Sequence, residues 1–257
     1  MGTYIRIIKF PDINTKFKFE NKLNSIAEKS NPVSYDNLNL RIVINNEDKE
    51  FSIPLKLKVK KIPAQRSLLG PNFLGHIFEV ETDIPLGLEN LDGFWNVKEK
   101  KTVTYISYKV DPISTYSLLT GDSKKGVEKT LDALHKLKLP IPVRMKIKFL
   151  KGSRFIKLIK DMGSIGWIYL GGLTDYHLKG FAAYGKKLEA SEIISDLVRR
   201  GGMVTAIVIY SERKNLKVIL SDRGSIYSPH RLKAIDIANI TKDILEFFQK
   251  HSLISVW

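Results

Sequence analysis

Residues 121–142, "GDSKKGVEKTLDALHKLKLPIP", decide how the first half of the chain is read. Val127, Leu131, Leu134 and Leu137 recur at three- or four-residue intervals, which puts them on one helical face, and Pro140 and Pro142 end the pattern. Upstream, residues 3–20, 38–45, 51–62, 73–84 and 94–110 are rich in Ile, Val, Phe, Tyr and Thr and show partial two-residue alternation. Asn, Asp, Pro and Gly separate these runs, and "NNED" at 45–48 reads as a hairpin turn. The expected first domain is therefore residues 1–142, β-rich and closed by a helix near 123–137.

Downstream the pattern changes. The Pro-flanked "VRMKIKFLKG" (143–152) reads as a strand, followed by helix "SRFIKLIKDM", strands "SIGWIYLGG" and "YHLKGFAAYG", and helix "EASEIISDLVRR". Two or three further strands and a long helix from 230 to 250 complete it. Ser228 before Pro229 can cap and open that last helix, and Gly201–Gly202 follows Arg199–Arg200 at the end of the middle one. The expectation is an α+β chain whose second domain, residues 143–257, is a small mixed α/β unit.

The chain has 257 residues, 43% of them hydrophobic, which is ample for a packed core. It contains no cysteine, which excludes disulfides, thiolate chemistry, iron–sulfur clusters and cysteine-bearing zinc sites. The opening "MGTYIRIIKF" lacks the apolar core of a signal peptide, and no apolar run is long enough for a membrane span. A cytoplasmic protein with no membrane partner is expected. Abundant Lys and Ile, with Gln only at 65 and 249, fit a thermophile, archaeal profile.

A net charge of +15 favours polyanionic partners. The excess falls in two blocks, with 13 basic against 7 acidic residues over 1–66 and 17 against 10 over 151–257. In "IPLKLKVKKIP" (53–63), Lys56, Lys58 and Lys60 share one strand face, with Lys61 beside them. Basic alternation recurs in "TKFKFE" (Lys16, Lys18) and in "VRMKIKF" (Arg144, Lys146, Lys148). Glu79, Glu81 and Asp83 also alternate on one strand face and would neutralise the lysine ladder if the two strands were neighbours. Near turns at 199–202, 211–217 and 222–224, basic residues including Arg199, Arg200, Arg213 and Lys214 form a candidate phosphate-contact cluster. Separately, the first turn of the expected last helix, at His230 with Arg231 and Lys233 nearby, could hold a phosphate. Phe17, Phe19 and Phe149 fall on the faces opposite the charges, and Tyr105 and Tyr108 point to opposite sides, so core packing accounts for most aromatics.

No metal or cofactor is expected. The five histidines lack ligand spacing, the glycines of "GSIGWIYLGG" fit neither a P-loop nor a dinucleotide loop, and no nucleophile motif is present. An enzyme assembled from residues distant in sequence stays open.

Two resemblances add to this reading. The α-β-β-α-β-β-β-α order of residues 153–250 resembles small domains of the roadblock and longin type, which implies dimerisation and protein contacts, here a homodimer through the C-terminal domain. The N-terminal half, with "LGHIFEVETDIPLGLENLDGFW" and "KTVTYISYKV" before the helix at 123–137, looks like a START-type helix-grip domain. That likeness implies a sheet curled round the helix and a cavity for an apolar ligand. The leading expectation is a non-catalytic protein that engages RNA or DNA through phosphate contacts. The alternative is an apolar small-ligand-binding protein with a dimerising C-terminal domain.

Overall fold

The computed structural model describes residues 2–29, 31–44, 47–62, 77–91, 94–108, 116–140, 143–147, 163–173, 178–211, 216–232 and 254–256. The chain divides into two compact units, residues 8–143 and residues 1–7 with 144–257.

The unit of residues 8–143 begins with helix α1 (Ile13–Glu28). Asp12 caps it, its carboxylate accepting from the Thr15 amide at 2.7 Å and the Thr15 hydroxyl at 2.9 Å. The alternation of "TKFKFE" suggests a strand, and the structure corrects this. Lys16, Phe19, Leu23 and Ile26 make a buried stripe at helical spacing, while Phe17 is left exposed. The cap and the longer period outweigh a four-residue alternation.

Strands β2 (Val33–Ile44), β3 (Glu47–Ile62), β4 (Ile77–Leu91), β5 (Phe94–Tyr108) and β6 (Tyr116–Gly121) then pair antiparallel in that order. The β3–β4 ladder runs only from Ile62 opposite Ile77 to Leu57 opposite Thr82. Pro54 and Pro85 stand at the next stretch of each strand, where neither can donate a backbone hydrogen bond.

Helix α2 (Lys124–Lys136) carries out the expectation for residues 123–137. Ser123 caps it by accepting from the Gly126 amide at 3.1 Å, and Lys138 turns left-handed (φ 55°) ahead of Pro140. α2 packs on β4 and β5, and α1 packs on β3. Between them Leu57, Val59, Phe78, Val80, Ile106 and Leu119 from the sheet meet Phe19 and Leu23 of α1 and Val127 and Leu134 of α2, all buried.

One patch of this interface is polar. The Thr130 hydroxyl of α2 lies 3.1 Å from that of Thr82 on β4 and 3.0 Å from that of Thr104 on β5, and all three residues are buried. The approach is close because α2 carries glycine at 126, where a Cβ would stand 2.2 Å from the Thr102 hydroxyl oxygen.

In the other unit, β1 (Thr3–Lys9) and β12 (Ser225–Ser228) pair from Thr3 opposite Ser228 to Arg6 opposite Ser225. The chain's start is thus a strand of this unit. With β11 (Leu216–Ser221), β10 (Met203–Ser211), β8 (Ser164–Gly171) and β9 (Gly180–Tyr184), the order is β1-β12-β11-β10-β8-β9. β7 (Val143–Ile147) pairs with β13 (Ile254–Val256). Helix α3 (Glu192–Arg199) follows a short 3-10 turn at Leu188–Ala190, and Ser191 accepts from the Ile194 amide at its start.

This overturns the expected α+β class with its mixed α/β second domain. The structure is a β-rich, antiparallel-sheet fold. Consecutive strands such as β8 and β9, β10 and β11, and β11 and β12 pair directly, a connection that short turns allow and that parallel crossovers do not need. The helix expected over 153–162 and the long helix at 230–250 fall mostly outside the described residues. Among the described residues, no helix is long and apolar enough to cross a membrane.

Candidate functional site

The lysine ladder is the first surface to place. Lys56, Lys58 and Lys60 are exposed on the sheet face of β3 turned away from Leu57 and Val59, whereas Lys61 is exposed at the level of Phe78 on the opposite face. Lys58 stands directly opposite Glu81 and Lys60 directly opposite Glu79. Across β4, Lys101 reaches the Glu81 carboxylate at 2.9 Å and faces Asp83. Lys58 and Lys60 thus belong to a cross-strand charge lattice, whose exposed pairs contribute about 0–1 kcal/mol each, whereas Lys56 stands opposite Ser34.

The remaining basic candidates are dispersed. Lys16 and Lys18 belong to α1. Arg144 and Lys146 lie in β7, where Lys146 stands opposite Ser255 of β13, while Lys148, Arg213, Lys214 and Lys233 lie outside the described residues. Arg199 and Arg200 are exposed at the end of α3, where the Arg200 guanidinium donates to Asp196 at 2.8 Å. They precede the start of β10, whereas exposed Arg231 follows β12, whose end is level with the last residues of β10. The register therefore sets them toward opposite ends of the sheet and does not gather them.

The register instead assembles a surface that residue-by-residue reading missed. Tyr184, Trp167, Val208, Ile219 and Tyr227 stand directly opposite one another across β9, β8, β10, β11 and β12. Tyr169 is two residues from Trp167, and Tyr210 two from Val208, so both share that face. Trp167 stacks near-parallel on Tyr169 at 6.3 Å between centroids and tilts against Tyr184 at 6.0 Å. Tyr184 is 82% exposed, Tyr210 40%, Tyr169 39% and Tyr227 36%. The opposite face holds Ile168, Leu170, Ile207 and Leu220, all buried.

Three of these rings occupy space that a neighbouring glycine leaves free. A Cβ on Gly166 would stand 2.0 Å from Cε2 of Tyr210, one on Gly180 would stand 2.4 Å from the Tyr169 hydroxyl oxygen, and one on Gly2 would stand 2.5 Å from that of Tyr227. A ring seated where glycine leaves room lies close to the backbone there and still keeps part of its surface exposed. Gly166 is also the extra residue of a β-bulge between the Val208–Trp167 and Ile209–Ile165 pairs. Its carbonyl accepts from Gly185 at 3.1 Å, and the neighbouring Ile165 amide donates to the Glu189 carboxylate at 3.0 Å, which anchors the segment after Tyr184 to β8.

Basic groups attend this face. Lys217 is opposite Tyr210, its ammonium 5.6 Å from the ring centroid. Exposed Lys179 precedes β9, and exposed Lys186 and Lys187 follow it. The sequence signal was available in Trp167-x-Tyr169 and in the strand glycines 166 and 180, which alternation alone assigns to core packing and turn formation. Among the described residues, no His, Asp and Glu cluster could hold a metal. No protein-family model matches the chain, and no curated protein matches it.

Proposed function

We propose that the protein binds nucleic acid, and that the contact surface is the open sheet face of β9, β8, β10 and β11. Ring placement carries this reading. Tyr169 and Tyr210 are held over glycine with an outer surface exposed, beside the almost fully exposed Tyr184. Aromatic faces of this kind stack on bases, and the chain's net charge of +15 supplies a general attraction for phosphate. Lys217 beside Tyr210 and the exposed Lys179, Lys186 and Lys187 are better candidates for phosphate contacts than Lys58 and Lys60, which already stand opposite carboxylates.

Fluorescence anisotropy with labelled RNA and DNA across a salt series tests the proposal. Binding that weakens as salt rises is expected, and the double substitution Lys58→Gln/Lys60→Gln should leave it unchanged. Absence of binding to either nucleic acid at low salt sinks the reading.

The helix-grip likeness stays as a proposal about scaffold. Residues 3–136 run strand, helix, five strands, helix, and α2 packs on the sheet. The direct hydroxyl contacts of Thr130 with Thr82 and Thr104 favour a filled helix–sheet interface over a ligand cavity at that level.

A further inference from the structure

Resting on the nucleic-acid reading, we propose that the bound segment is single-stranded, with two or three unpaired bases stacked on Tyr184, the Trp167–Tyr169 pair and Tyr210, and its backbone crossing the strands toward Lys217.

The argument begins from what a flat ring can touch. In a duplex the π-faces of bases are already stacked on one another, and only base edges and phosphates are presented. A surface of rings lying on a sheet has few donors for base edges but fits the exposed π-face of an unpaired base. From Tyr184 on β9 to Lys217 on β11 the path crosses three strand intervals, roughly 14 Å at about 4.8 Å each, which suits the two or three bases that sheet-borne aromatics stack in other single-strand binders. Direction follows from composition. Lys186 and Lys187 lie two and three residues past Tyr184, and Lys217 stands opposite Tyr210, so the first and last rings of the path each have a lysine close by.

Charge also bears on the choice. A duplex-binding protein without base readout depends on many phosphate contacts. Four lysines lie on or next to these strands among the described residues, and neutralisation of one phosphate by each would give a slope of log K against log salt of about −3, at about −0.7 per phosphate of a single strand.

The test compares a labelled ten-nucleotide oligo-U and oligo-dT with a ten-base-pair duplex, using the full chain. Tighter binding of a single strand by tenfold or more is expected. Tyr184→Ala, at a side chain exposed enough to leave folding intact, should weaken single-strand binding by about 5- to 150-fold, with Tyr184→Phe close to the parent. Lys217→Gln should reduce the salt slope by about 0.7. Equal or tighter duplex binding that ignores Tyr184→Ala overturns the single-strand inference while leaving nucleic-acid binding in place. Binding of neither form overturns both, and so does a stable dimer that Tyr184→Ala dissolves, because a second copy would then occupy the face.

Discussion

Replacing Thr130 by valine probes how α2 is seated on its sheet. The Thr130 hydroxyl is the centre of a three-member chain, 3.1 Å from Thr82 and 3.0 Å from Thr104, with each residue fully shielded from solvent. Three hydroxyls bring three protons to two contacts, so at least one proton is not used within the chain of hydroxyls. Valine keeps the shape of the side chain, removes both contacts and leaves two buried hydroxyls alone. A stranded buried polar group costs about 1–3 kcal/mol, and the desolvation of the Thr130 hydroxyl itself is relieved, so Thr130→Val should destabilise by about 1–4 kcal/mol. The triple change Thr82→Val/Thr104→Val/Thr130→Val removes all three hydroxyls together, and should return to within about 1 kcal/mol of the parent. Urea unfolding followed by far-ultraviolet circular dichroism measures both, through the midpoint at constant m-value. A single variant within about 0.5 kcal/mol of the parent, or a triple variant as unstable as the three singles summed, refutes the reasoning.

Glycine substitutions separate folding from binding. Gly163 has φ 152° and a Cβ there would stand 2.3 Å from the Tyr210 carbonyl oxygen, so Gly163→Ala should cost about 1–3 kcal/mol, read as a lowered Tm. At Gly166 the obstacle is the Tyr210 ring, which can swing away; Gly166→Ala should leave Tm nearly unchanged and weaken oligonucleotide binding in the same anisotropy assay. Glu79→Gln/Glu81→Gln removes the carboxylates opposite Lys60 and Lys58 and should add salt-sensitive, sequence-independent oligonucleotide binding, measured against the parent at low salt. Asp12 and Asp36 are both held below the ordinary carboxylate value of 3.8, Asp12 first by the Thr15 amide and Asp36 first by the Lys136 ammonium. A depressed carboxylate stabilises the fold above its unfolded pKa and loses that contribution as pH falls through the folded one, so stability should drop below pH 3.8, and Asp12→Asn should flatten that drop in a pH series of melting curves.

Legibility in this chain follows the range of the interaction that decides each element. α2 could be read because Val127, Leu131 and Leu134 repeat locally, Ser123 caps and Pro140 stops, all within one short stretch. α1 was misread because four alternating residues at 16–19 outvoted the spacing of Phe19, Leu23 and Ile26 and the cap at Asp12. The fold class failed for a longer-range reason. Thr3 meets Ser228, and β10 lies between β11 and β8, pairings that no local periodicity records.

The surface depended on pairing even more than the fold did. Lys58 and Lys60 look like a contact row until Glu81 and Glu79 are found opposite, which cancels much of their field. Tyr169 and Tyr210 look like core residues until Gly180 and Gly166 are found diagonally across, which leaves room for each ring beside the backbone. In both cases the strand holding the side chain was recognisable, and the neighbouring strand settled its role. A lysine opposite glutamate is a scaffold charge and a tyrosine beside glycine is an open ring, so the same register that removes the first candidate surface creates the second.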